Sequence, residues 1–166
     1  MYSCTTEWYW NRLTSKDAKW APSVEFHTKN YGANFDYQDF APKFTAELFN
    51  ARQWADLFAR AGIKYVVPVA EHHDGFPMYD SDCTDWSAAK MGPRRDIIGS
   101  LAKAVQQEGL VFGASSHRAE HWWFYDRALW FESDVRDTNC AGLYGPARNQ
   151  RLAENQSEPP DQVFLD

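Results

Sequence analysis

The chain has 166 residues, 17 basic and 23 acidic, for a net charge of −6. That length suits one domain rather than two. With no basic cluster, the charge balance excludes the electrostatic footprint of a nucleic-acid binder. No run approaches the ~20 apolar residues of a membrane helix, and Met1 to Glu7 has neither the charged nor the apolar stretch of a signal peptide. Three widely spaced cysteines, Cys4, Cys83 and Cys140, fit neither a disulfide framework nor a zinc site, and they leave the compartment open. Aromatics make up 16% of the chain. They can build a large core, or line a pocket that stacks on the apolar face of a sugar or another ring.

Residues 1–45 read as aromatic and irregular, with Pro22, Gly32 and Pro42 as breakers. From Ala46 the pattern sharpens. Trp54, Leu57, Phe58 and Ala61 sit at helical spacing, and Gly62 follows where a C-terminal cap belongs. Ile63 to Ala70 reads as a strand whose near-continuous apolar character predicts burial on both faces. The 25 residues from Glu71 to Arg95 show no period. Ordinary strand–helix loops run about 2–6 residues, so one this long is functional or disordered. Phe76, Tyr79 and Trp86 argue for order.

Asp96 is placed to cap a helix running to Glu108, with Ile97, Ile98, Leu101 and Val105 as its apolar stripe. Gly109 closes it, and Leu110 to Ala114 is the next strand. Helix–Gly–strand followed by loop–helix–Gly–strand predicts an α/β fold with a parallel sheet and right-handed crossovers. A second polar and aromatic burst, Ser115 to Trp123, follows that strand. From Ser133 the chain turns polar and irregular, reading as a polar insertion or linker over about 133–162, with Asn149 to Pro160 its solvated stretch. Val163 to Leu165 resembles the start of a further element.

Glu71-His72-His73-Asp74-Gly75-Phe76 concentrates the chemistry. It lies where a buried strand ends, and parallel α/β folds place their sites at the carboxyl ends of strands. A metal is the first idea for Glu-His-His-Asp. Neighbouring residues on a strand point to opposite faces, however, and zincins need two histidines one helical turn apart. Hydroxyl recognition is the more natural role, since a neutral imidazole offers one donor and one acceptor. A structural hydrogen bond at a strand end is the bland alternative for each histidine. Glu7-Trp8-Tyr9 and His117-Arg118-Ala119-Glu120 are further polar clusters with equally bland readings, a surface Glu beside core rings and a helix opening. Three function classes stay open: a hydrolase on a polyhydroxylated substrate, a metal-dependent barrel hydrolase, and a catalytically silent carbohydrate-binding protein.

The stretch Tyr65 to Trp86, through His72-His73-Asp74-Gly75-Phe76 and then Ser81 to Asp85-Trp86, resembles the α-L-fucosidases of glycoside hydrolase family 29. Pro93-Arg94-Arg95-Asp96, Gly109 to Gly113, Glu7-Trp8-Tyr9, Tyr31-Gly32 with Phe35, Phe40 to Phe44, and Ser115 to Trp123 extend the likeness over residues 2 to about 135. The resemblance implies an N-terminal portion, about two to three of eight strands, of a (β/α)8 TIM-type barrel. It implies retaining hydrolysis of terminal α-L-fucose from fucosylated glycans or glycoconjugates, by an aspartate nucleophile and a carboxylic acid/base, with no metal or other cofactor.

Matched position by position, His72 and His73 would bind fucose hydroxyls, and Glu7 and Trp8 would line the same pocket. Ser116 and His117 fall near a position where many relatives carry a pocket tyrosine, and they join the set. Glu71 stands where the family usually has lysine. The first barrel strand, with its His-Trp-Gly, is expected upstream of Tyr2-Ser3. The nucleophile and acid/base are expected beyond Asp166. Retaining hydrolysis needs two carboxyl groups roughly 5–5.5 Å apart. No catalytic residue is therefore expected within the chain, and the 166 residues alone are expected to be inactive.

Overall fold

The computed structural model describes residues 8–14, 18–118, 124–125 and 134–144. Its centre is a parallel ladder. β1 (Tyr65–Val66) pairs with β3 (Val111–Phe112), and β2 (Val69–Glu71) pairs with β4 (Ser115–Ser116). The backbone N–H groups of Val111, Gly113, Ser115 and His117 donate to the carbonyls of Lys64, Val66, Pro68 and Glu71 at 2.9–3.0 Å. The donor strand advances by two residues at each step. The acceptor strand advances by two, two and then three, so one extra residue is taken up between Pro68 and Glu71. Such a bulge bends the strand and re-aims the residues after it, here the two histidines. Pro68, with no N–H, splits the expected single strand into β1 and β2.

The parallel α/β expectation holds in these pairs. Burial on both faces does not. Val66 and Phe112 face a cluster of Ala55, Leu101, Ala104 and Val105. Tyr65, Val67, Val69 and Val111 on the opposite face are exposed. The period-2 alternation of a strand separates the two sets, and among the described residues helices cover only one of them.

Those helices are α3 (Ala51–Arg60) and α4 (Ile97–Gln107). The Asn50 side chain caps α3 by accepting from Gln53 N–H, and Asp96 caps α4 by accepting from Gly99 N–H. Each accepted bond satisfies an orphan donor of the first turn. Helix α3 begins five residues after the expected Ala46. Its buried face is Ala55 with Phe58, while Trp54 and Leu57 of the expected stripe stay about half exposed. The α4 stripe is as expected, with Ala104 added and Ile98 half-buried.

The described part of the first segment is largely helical, not irregular. It carries α1 (Tyr9–Thr14), a turn of 3-10 helix at Ala18–Trp20, α2 (Ala21–Tyr31) and a 3-10 segment at Tyr37–Lys43. Pro22 lies in the first turn of α2, where a missing N–H costs nothing. Residues 134–144 likewise hold short helical turns and α5 (Ala141–Tyr144), not solvated chain. Cys140, Leu143 and Tyr144 join Trp10, Phe124 and Tyr125 in a second core. The expected linker at 149–160 and the element at 163–165 lie outside the described residues.

The long loop 71–95 is ordered by its own backbone. Met78 N–H donates to Ala70, Ala88 N–H to Pro77, and Arg95 N–H to Ala88, while Ile97 N–H returns to Met78. Arg95 also donates from its guanidinium to the carbonyl of Ala46 at 2.9 Å, fastening the loop to the turn that precedes α3. Gly92 has φ +62°, and a Cβ there would run into the carbonyl oxygens of Phe44 and Ala41.

Candidate functional site

The site forms where β2 and β4 end. His72 and His73 leave the ladder immediately after Glu71 and enter a turn closed by Gly75 N–H donating to His72 carbonyl at 3.1 Å. Gly75 has φ +79°, a left-handed conformation that glycine adopts without cost. The turn removes the strand alternation that would have sent the two imidazoles apart. Their ring centroids lie 4.4 Å apart. His117, one residue past β4, brings the third ring to 4.3 Å from His72 and 4.7 Å from His73. His117 Nδ1 and His73 Nε2 are 3.3 Å apart, one ring donating and the other accepting. Three imidazoles thus converge from two adjacent strand ends. The expectation that adjacency separates His72 from His73 is overturned.

Aromatic rings wall this cluster. Phe124 stacks on His73 at 5.4 Å and 18°. Trp8, at the head of α1, lies 5.0 Å from His73 and 5.3 Å from Phe124, and it is 43% exposed. An indole half open to solvent beside imidazoles is a surface on which a ring-shaped, partly apolar ligand can rest. His73 itself is buried.

The two carboxylates of the motif are engaged in holding the site. Buried Glu71 accepts from Arg118 Nη1 at 2.9 Å and from Tyr79 O–H at 3.2 Å. Its backbone carbonyl accepts from His117 N–H. Glu71 and Arg118 therefore tie together the two strand ends that carry the imidazoles. The Tyr79 phenol is held above its ordinary pKa of 10.0, first by burial and then by the negative charge of Glu71 and their hydrogen bond, with Arg118 opposing. Asp74 accepts from Tyr37 O–H at 2.9 Å and from Phe76 N–H at 3.2 Å, while its carbonyl accepts from Tyr125 O–H at 2.8 Å.

Of the residues singled out in the sequence, Trp8, His72, His73 and His117 come together. Ser116 ends β4 but is exposed, and its hydroxyl accepts from Arg118 N–H at 3.2 Å. Glu7 lies outside the described residues. The places of Phe124 and Tyr37, and the roles of Arg118 and Tyr79 as partners of Glu71, emerged only with the structure. The aromatic run Trp122 to Tyr125 was the one signal for the first of them. His27, remote from the cluster, is structural: it pairs with Tyr9 O–H at 2.9 Å and with the carbonyl of Phe35 at 2.6 Å. No helix among the described residues is long and apolar enough to cross a membrane.

Comparison with known proteins gives one answer. The family model for alpha-L-fucosidase matches residues 1–159. The alpha-L-fucosidase of Dictyostelium discoideum is 39% identical over 108 residues, 64% of this chain and 23% of that protein. The plasma alpha-L-fucosidase of Homo sapiens is 41% identical over 128 residues, 76% of this chain and 26% of that one. Among solved structures, the Thermotoga maritima alpha-fucosidase in complex with fucose is 49% identical with a TM-score of 0.62, covering 66% of this chain and 25% of its own. The same enzyme with a mechanism-based inhibitor aligns over 84% of this chain and 36% of its own, at 38% identity and a TM-score of 0.66. The chain spans about a quarter of the length of the curated relatives it matches. The matched residues include the ladder, the loop and the imidazole cluster, and by them the chain belongs to the alpha-L-fucosidase family.

Proposed function

We propose that this chain supplies the fucose-recognising wall of a retaining α-L-fucosidase. The single observation that carries the reading is the convergence of His72, His73 and His117 beside Trp8 at the carboxyl end of a parallel ladder. Three imidazoles present donors and acceptors in several fixed directions, which suits the hydroxyls of one pyranose. Trp8, half open to solvent with buried Phe124 packed behind it, offers apolar surface for the deoxy side of the sugar. Glu7 belongs to the same pocket by family position. Ser116 borders it as a secondary contact.

Glu71 and Asp74 hold the pocket in place. Both accept from neighbouring donors, and by family position the nucleophile and the acid/base of the retaining reaction are other carboxylates. The parallel pairs with helices on one face, and apolar side chains bare on the other, fit an N-terminal arc of a (β/α)8 barrel whose interior the bare face lines. The substrate is then a terminal α-L-fucose on a glycan or glycoconjugate.

Calorimetric titration of the chain with L-fucose, beside D-glucose as control, tests the reading. His73→Ala is expected to weaken L-fucose binding at least about tenfold, since a buried pocket group is lost. Equal affinity of the wild type and H73A for L-fucose would remove His73 from the pocket.

A further inference from the structure

The imidazole cluster has a second chemistry that sugar recognition does not use. One ligand nitrogen from each of His72, His73 and His117 can be chosen so that all three lie within 4.8 Å of one another. Two nitrogens bound to one tetrahedral Zn2+ at about 2.0–2.1 Å sit roughly 3.3–3.4 Å apart. His73 Nε2 and His117 Nδ1 are already at 3.3 Å. A hydrogen bond spans that edge in the structure; in its place both rings can turn their lone pairs off the N–N line toward a shared cation without changing that spacing. The remaining edges close by side-chain rotation of His72, which is only half-buried.

We propose that His72, His73 and His117 form a binding site for one borderline transition cation of the Zn2+ or Co2+ class. Imidazole nitrogens select such ions, whereas Ca2+ and Mg2+ require oxygen ligands. Among the described residues, the carboxylates of the motif do not supply these, because Glu71 accepts from Arg118 and Tyr79, and Asp74 from Tyr37 and Phe76 N–H. Three protein nitrogens leave the fourth tetrahedral position to solvent. The Glu71 carbonyl, accepting from His117 N–H, keeps the third ligand in register with the first two. An ion placed here uses the same nitrogens that the fucose reading assigns to sugar hydroxyls. It is an occupant that excludes the sugar and takes no part in hydrolysis; this exclusion, unlike the cation site itself, rests on that reading.

The test is titration of the metal-stripped chain with ZnCl2 by calorimetry and with CoCl2 by visible absorption. One ion per chain is expected, with the intense visible bands of tetrahedral cobalt(II). His117→Gln and His72→Gln, each verified by an unchanged thermal transition without metal, are expected to lose at least about tenfold in affinity, as even an outer-shell loss does. Cys83→Ser removes an exposed thiol that is itself a metal ligand, and it is expected to change nothing. Absence of saturable binding overturns the proposal. So does an affinity that both histidine variants leave within about twofold of wild type, or one that C83S alone abolishes. L-fucose is added in a separate arm, with and without saturating Zn2+. Sugar binding blocked by Zn2+ supports the shared pocket. Sugar binding absent even with chelator sinks the fucose reading and leaves the cation result standing.

Discussion

Arg118→Met is the most informative perturbation of this molecule, because the pair it breaks is asymmetric. The Glu71 side chain is 4% exposed and that of Arg118 is 37% exposed. Removing the guanidinium strands a buried carboxylate with Tyr79 O–H as its remaining side-chain donor among the described residues. Breaking a fully buried pair costs about 3–5 kcal/mol and an exposed one about 0–1. With one partner buried and the other about a third exposed, R118M is expected to cost about 2–3 kcal/mol. Glu71→Gln keeps the shape and a Tyr79 contact and releases Arg118 to solvent, for about 1 kcal/mol. The double variant is expected to be more stable than R118M, with a coupling of about 1–2 kcal/mol.

Denaturant unfolding monitored by circular dichroism reads these values from the midpoint and slope. In thermal melts R118M is expected to fall by about 5–10 °C for a chain of this size. If R118M costs no more than E71Q, the carboxylate is not stranded, and the pair does not tie the two strand ends together.

Tyr79 gives a pH test. Its folded pKa lies above 10.0, so the neutral phenol is favoured in the fold. The stability from this group is complete below the unfolded pKa of about 10 and is lost as pH rises through the folded value. Tyr79→Phe is expected to flatten the alkaline fall in unfolding free energy above that point, and an unchanged slope would remove Tyr79 as its source. Gly92→Ala combines a left-handed backbone with collision against the Phe44 and Ala41 carbonyls. It is expected to cost more than the roughly 1–2 kcal/mol of the conformation alone, read by the same denaturant midpoint. Asp96→Ala removes the α4 cap and is expected to cost about 1 kcal/mol, with Asp96→Asn recovering most of it.

Much of the candidate cluster was legible in the sequence because its signals were local. Asp96 capped the helix it was expected to cap, and the strands ended one or two residues past the apolar runs, β2 at Glu71 after Ala70 and β4 at Ser116 after Ala114. What stayed hidden depended on partners distant in sequence or on a single backbone torsion. Adjacent histidines imply opposite faces only while the strand continues, and the bulge before Glu71 with the turn at Gly75 ends it. Pro22 reads as a breaker until its place in a first helical turn is known. Glu71 looked like a stray charge change. Its partner Arg118 is 47 residues away, in a cluster that by itself read as a helix opening. The aromatic residues before 45 gave no amphipathic stripe, because α2 buries chiefly His27 and exposes Val24, Phe26 and Tyr31.

The two cores differ in how far apart along the chain their members lie. The cluster around Ala55 and Val105 closes over one helix–strand–loop–helix stretch. The other joins Trp10 to Phe124, Tyr125 and Tyr144, nearly the whole described chain. Contacts of longer separation carry a larger loop-closure entropy and form later. Phe124, the ring against His73, belongs to this second cluster. We predict that during refolding the ladder and its two helices gain hydrogen-exchange protection first. The imidazoles would then gain their aromatic wall only in the last phase, so recognition would report completion of folding rather than its onset. Simultaneous protection of both clusters in pulse-labelling would contradict that order.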